Sequence, residues 1–267
     1  MLGAAGALVL GGGAPLAAGV PVALESHAPL APSAAGTAKS SNWSGYVGEL
    51  TKGAGQKLTH VAGTWTVPTV TKTSSATYSS AWIGIDGVQN GDLIQTGTEE
   101  DWVGGAAVYR AWWEILPAAE TVIPSIKVSP GDQMSANIKL TSGTNWTITL
   151  TDVTTGKSFS IVKKYTGPAN SAEWVLEAPT VGGSIATLAH YGSTDFNNAA
   201  VAVNGGAPGG ANLSTALKVK MVQGGKVVST PGKPNSAGVG FGVAYGTKGP
   251  PPPPNPSHAT ATRESWR

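Results

Sequence analysis

Few residues in this chain are equipped for acid–base or nucleophilic chemistry. There is no cysteine, so thiol nucleophiles, disulfides and Cys-ligated zinc are excluded. The four histidines, His27, His60, His190 and His258, show no metal-ligand spacing, and neither a metal nor another cofactor is expected. Carboxyl and amide groups remain. Asp86 closes "SAWIGID" (80–86), Gln95 lies in "DLIQTG" (92–97), Glu114 in "VYRAWWEIL" (108–116) and Glu173 in "AEWVLEA" (172–178). Alternate residues of a strand share a face. Trp82 therefore points with Asp86, Leu93 with Gln95, and Trp112 with Arg110 and Glu114, while Glu173 points with Val175 and Glu177. Faces that combine Trp with Gln, Glu or Asp look like the floor of a binding groove, where aromatic walls hold a ligand and a few polar groups act on it.

Each of these residues also has a plain structural use. Gln95 and Glu173 could be solvated strand residues, Trp82 and Trp112 core residues, and Asp86 a turn former. The acids after the glutamine, Glu99, Glu100 and Asp101, read as a solvated loop. Pattern alone gives a suspected groove. A glycoside hydrolase using Glu114 and Glu173 as its carboxyl pair, or a non-catalytic module binding peptide or glycan, would suit the same groove.

The elements that must position these groups are short and β-rich. Strands are predicted over 58–67, 80–85, 108–115, 125–128, 133–140, 145–152, 158–165, 173–177, 217–222 and 239–244, with Gly-, Asp- and Thr-rich turns between them. No segment carries a 3.6-residue apolar period. The fold class is all-β, an antiparallel β-sandwich or jelly roll. Charged residues make up 12% of the chain, against roughly 25% in an average domain. The net charge of +2, without a Lys/Arg stripe, argues against nucleic acid as a partner. Residues 1–25 are apolar and rich in Ala and Gly, like the core of a secretory signal, which predicts export and no membrane anchor in the mature form. Residues 26–40 read as a flexible or propeptide-like segment, 41–246 as one domain, and 247–267, with Pro250–Pro254 in a run, as a Pro-rich disordered tail. A monomer is expected.

The order of motifs is more specific than any one of them. "SNWSGYV" (41–47), "VAGTWTVPTV" (61–70), "SAWIGIDG" (80–87), "IQTG" (94–97), "YRAWWEILP" (109–117), "GDQM" (131–134), "DVTTGK" (152–157) and "SAEWVLEAP" (171–179) follow one another. Together they resemble the glutamic peptidases (eqolisins, peptidase family G1) over about 41–180. The resemblance implies a concanavalin-like sandwich with its substrate cleft on the concave face of one sheet. It also implies a secreted acid endopeptidase acting on polypeptides, independent of metal and insensitive to pepstatin. The catalytic pair falls on Gln95 and Glu173, and substrate-binding positions on Trp82, Asp86, Trp112 and Glu114. In that scheme an ionised Glu173 activates water, Gln95 supports the oxyanion, and Glu114 tunes the proton affinity of Glu173. The absence of cysteine, the pI of about 8.7 and the cation Arg110 depart from the family pattern.

Overall fold

The computed structural model describes residues 25–30, 32–33, 38–50 and 55–256. The signal-like segment lies outside them except for Glu25, as does the tail beyond 256. Among the described residues there is no helix. Thirteen strands of five residues or more carry the fold: β1 (Trp43–Glu49), β2 (Leu58–Thr66), β3 (Ser80–Asp86), β4 (Leu93–Val103), β5 (Ala106–Ile115), β6 (Gln133–Ser142), β7 (Asn145–Asp152), β8 (Lys157–Lys164), β9 (Ser171–Glu177), β10 (Ser193–Val203), β11 (Leu217–Gln223), β12 (Lys226–Pro231) and β13 (Phe241–Tyr245).

Two antiparallel layers result. The first runs β11–β1–β9–β3–β4–β5, extended at its edge by Thr121–Val122. The second runs β8–β7–β6–β2–β10–β13–β12. They are continuous through β11, whose first half pairs with β1 and whose second half pairs with β12. The core between them is a single apolar cluster. Ala81, Ile83, Ile85, Ile94, Ala172, Trp174 and Leu176 of the first layer meet Val61, Trp65, Met134, Ile138, Ile148, Phe196 and Phe241 of the second.

The first layer is unusual in being buried on both faces. Every residue of β3 and of β9 is buried. Its outer face carries a second apolar cluster of Trp43, Val47, Trp82, Leu93, Trp112, Val175 and Val219. Trp43 and Trp82 meet edge to face, 5.0 Å between centroids. Trp82 fits because its neighbours lack side chains. A Cβ on Gly84 would come within 2.9 Å of the Trp82 ring, and one on Gly97 would collide with Trp82 Cβ and the Ala81 carbonyl.

Several expectations are corrected here. Residues 125–128 form no strand: Ile126 and Val128 are buried, but the backbone there is turn and coil, because a short apolar run does not by itself distinguish the two. Glu99, Glu100 and Asp101 are no solvated loop; they lie within β4 with no side chain exposed. Residues 250–255, assigned to the disordered tail, lie against the domain. Asn255 accepts from Ala237 N (3.0 Å) and donates to Ser236 Oγ (2.8 Å), and Asn235 donates to Pro254 O (3.3 Å). A proline run lacks donors but keeps its carbonyls, and neighbouring asparagines supply what it lacks.

The close approach of β3 and β4 yields a test. Gly97→Ala is expected to destabilise the fold by about 1–3 kcal/mol, the range for overpacking a tight interior. For a domain of this size that lowers Tm by roughly 2–10 °C. A thermal melt with unchanged midpoint would contradict the packing described.

Candidate active site

Strand register brings the chemistry together. On adjacent antiparallel strands, directly opposed residues project from the same face. Glu173 lies opposite Gly84, Gly84 opposite Gln95, and Gln95 opposite Glu114. One row thus crosses β9, β3, β4 and β5. The next row is Val175, Trp82, Gly97 and Trp112; the third is Glu177, Ser80, Glu99 and Arg110. Four of the predicted site residues, Gln95, Glu173, Trp82 and Trp112, and a fifth, Glu114, therefore share one buried face.

In the first row Gln95 and Glu173 flank Gly84, about 10 Å apart between Cα atoms at the usual strand spacing of ~4.8 Å. The glycine has no side chain, and the Trp82 ring and the Leu93 side chain pack over it. Gln95 Nε2 donates to Glu114 Oε2 (2.7 Å) and to the main-chain carbonyl of His27 (2.8 Å). Among the described residues, Gln95 Oε1 and both Glu173 oxygens have no hydrogen-bond partner. Burial pushes Glu173 well above the usual carboxylate range, and the Asp86 and Glu49 carboxylates add to it. Glu114 makes no such contribution. It binds Gln95 rather than Glu173, contrary to the expectation that it tunes the base.

Asp86 also departs from expectation. Its φ of 74° turns the chain at the end of β3. Its buried carboxylate accepts from Tyr165 Oη, Ala169 N (2.8 Å) and Asn170 N (2.9 Å). It ties the loop before β9 to the end of β3 and so fixes the strand that carries Glu173.

Five participants were not assigned to the site by the sequence: Glu25, His27, Glu99, Glu120 and Glu177. Glu25, assigned to the signal-like segment, and residues 26–30, the start of the segment expected to be flexible or propeptide-like, lie packed over the outer face. The His27 ring stacks on Trp112, with centroids 3.6 Å apart and planes 5° from parallel. Its Nδ1 lies 3.1 Å from Glu177 Oε2 and its Nε2 3.4 Å from Glu120 Oε2. Trp82 Nε1 donates to the same Glu177 oxygen (2.8 Å). Arg110, half-buried, donates to Glu99 and Glu25 and approaches Asp101 at 3.8 Å.

These contacts set the charges. Burial alone would favour a neutral imidazole, but hydrogen bonds to Glu120 and Glu177 outweigh it and raise His27 to about 10. Burial likewise pushes Glu120 up, yet its bonds to His27 and Glu99 dominate and bring it down to about 2. The remaining acids rise: Glu114 and Asp101 to about 7, Glu25 and Glu99 well above their usual range, in each case chiefly through burial. Glu25, His27 and Glu99 have ligand atoms within 4.8 Å of one another, a spacing a metal ion could use. The Arg110 guanidinium already supplies a cation to both glutamates.

Known proteins share this arrangement of sequence and fold. The profile of the Peptidase A4 family matches residues 41–240. Aspergillopepsin-2 of Aspergillus niger is 30% identical over 207 residues, covering 68% of this chain and 71% of that protein. Scytalidopepsin B of Scytalidium lignicola is 34% identical over 142 residues, which span 51% of each chain. The crystal structure of scytalido-glutamic peptidase with a transition state analog inhibitor superposes with a TM-score of 0.65 at 24% identity, covering 77% of this chain and 98% of that one, and shows the same β-sandwich fold.

The buried acids predict how stability responds to pH. A carboxyl whose folded pKa lies above its unfolded value leaves the folded state holding more protons, so stability falls as pH rises between the two values. For Glu114 and Asp101 that window runs from about 4 to about 7. Glu120 acts oppositely, but only as pH falls below about 4.5 toward 2. The His27 contribution is fully present below about 6.5 and is lost as pH rises through about 10. Tm is therefore expected to be higher at pH 4 than at pH 7, with the slope flattened in Glu114→Gln and Asp101→Asn. Circular-dichroism melts showing equal or greater stability at pH 7 would contradict a protonated cluster.

Proposed function

This chain belongs to the Peptidase A4 family and is a peptide hydrolase of the glutamic type, and from that premise we propose that it is an exported endopeptidase working in acid with Gln95 and Glu173 as its catalytic pair. The row Glu173–Gly84–Gln95–Glu114 carries this reading. It holds a carboxyl and an amide on either side of a residue with no side chain, on a face walled by Trp82 and Trp112. Water adds to the scissile carbonyl as Glu173 takes its proton, and Glu173 returns that proton to the leaving amine. Gln95 Nε2 donates to the developing oxyanion. Its 2.8 Å bond to a main-chain carbonyl is within the range such a donor needs. Glu114 holds the same amide nitrogen and orients it.

Protonation follows from hydration. Burial is the main reason Glu173 is raised, so opening the face to substrate and water lowers it toward the ordinary carboxylate range. A base of that strength works in acid, and an amide partner keeps its donor at any pH. No metal enters this scheme, and the substrates are polypeptides. The apolar stretch over residues 1–25 supports export.

Denatured casein incubated across pH 2–7 tests the assignment. Cleavage is expected in acid, unaffected by pepstatin or a chelator. Gln95→Ala should lower kcat/KM by roughly 10²–10³, and Glu173→Gln by roughly 10²–10⁴. Full activity in Glu173→Gln would remove it as the base, and loss of activity with chelator would overturn the metal-free mechanism.

A further inference from the structure

The outer face of the second layer lies on the far side of the sandwich from Gln95 and Glu173. Val61 and Ile138 point into the core, so their neighbours His60 and Lys139 point away from it. The two are directly opposed on β2 and β6, and Ala202 of β10 lies opposite His60 on its other side. The loop over residues 204–208 and the β6–β7 turn supply the walls of a cavity of about 260 Å³, which His60 and Lys139 also line. A second cavity of about 300 Å³ shares Thr59, Leu140 and Gly143 with the first, and Lys57 lines it. The two adjoin as one groove.

One polar group there lacks what its burial demands. His60 is 5% exposed, and among the described residues its Nδ1 is buried without a hydrogen-bond partner. Leaving such a group unpaired is costly. Burial and the neighbouring Lys139 ammonium both hold its pKa below the ordinary 6.5. Lys139 is exposed and unpaired: among the described residues every ion pair is made by His27 or Arg110. No carboxylate among them lines either cavity. The other elements facing His60 are uncharged, with Ala202 from β10 and Gly205, Gly206 and Pro208 from the loop. Ser142 Oγ accepts from Asn145 Nδ2 (3.4 Å) and keeps its own hydrogen to donate. A cation, an imidazole able to become one and a hydroxyl donor stand together with no acid to neutralise them. The group this set fits is an anion.

We propose that this groove binds a small oxyanion, a sulfate, phosphate or carboxylate group, between the Lys139 ammonium and His60 Nδ1. The exposed Lys139 side chain swings to admit it, and one oxygen then gives the buried nitrogen its missing partner. In the complex Nδ1 is a donor, and an anion beside the ring favours the imidazolium. Binding therefore takes up a proton between the free and bound midpoints of His60, and affinity rises as pH falls through that window. The site is separate from the cleft and does not depend on the roles given to Gln95 and Glu173.

The test uses the full-length protein and sodium sulfate, whose charge is constant from about pH 5 to about pH 8. Sodium chloride holds the ionic strength fixed, because screening alone weakens charged contacts. The ring resonances of His60, identified by their loss in His60→Gln, are followed by NMR. In chloride their midpoint is expected below 6.5. Saturating sulfate should raise it by about one, which by linkage is about tenfold tighter binding at the acid end than at the alkaline end. Lys139→Gln, at an exposed position that the fold does not need, should weaken sulfate about tenfold. It should leave casein digestion unchanged. Sodium acetate compared with sulfate at about pH 6 tells whether a carboxylate or a tetrahedral oxyanion is preferred. A His60 midpoint that neither anion moves overturns the proposal. A response that persists undiminished in Lys139→Gln also overturns it, as general adsorption to surface lysines. Loss of casein digestion in Lys139→Gln overturns the separation of this site from the cleft.

Discussion

A sheet buried on both faces has no place for a hydrated carboxylate. The outer face of the first layer nevertheless carries Glu99, Asp101, Glu114, Glu173 and Glu177, none of them exposed. An isolated buried charge costs far more than a small domain can sustain, so each group must be paired or protonated. Both occur. His27 and Arg110 supply the cations, Glu120 is held ionised against His27, and the other acids keep their protons at pH values where exposed carboxyls have lost them. The greater stability expected in acid follows from this arrangement of strands before any reaction is considered.

The covering segment belongs to the same balance. His27 stacks on Trp112 and meets Glu120 and Glu177, so removing it would expose an indole and leave two carboxyls without their main stabilising partner. Segment and acid cluster stabilise one another. Protonation of Glu177 and Glu120 would weaken the hold on the imidazolium, and Glu120 keeps its charge to the lower pH of the two.

Much of this was legible in the sequence, and the parts that were not share a cause. Period-two alternation located most strands and placed Trp82, Gln95, Trp112, Glu114 and Glu173 on faces of one kind. The order of motifs pointed to the family. The acids of "TEED" were misread because three charges in succession look solvated when only local composition is weighed. A local signal did exist. Gly104 and Gly105, both with positive φ, form a two-residue turn of the kind that fixes hairpin register. Counting back from the Val103–Ala106 pair puts Glu99 opposite Arg110 and Gln95 opposite Glu114. Nothing comparable linked His27 or Glu120 to the face, since neither lies in the hairpin and their contacts are fixed only by tertiary packing. Asp86 was misplaced for a different reason: alternation assumes extended backbone, and its positive φ breaks the assumption at the residue concerned.

The same register explains why an amide, rather than a titratable group, occupies position 95. Its nitrogen lies 2.7 Å from Glu114 Oε2. A carboxyl there would share one proton with Glu114, and its donor would come and go with pH. A lysine or arginine would be drawn into an ion pair with Glu114 and compete with His27 and Arg110 for the remaining acids. A glutamine has two amide hydrogens: one is taken by Glu114, and the other remains directed at a main-chain carbonyl. Among so many groups whose charge depends on pH, it is the polar group of the row whose donor is constant.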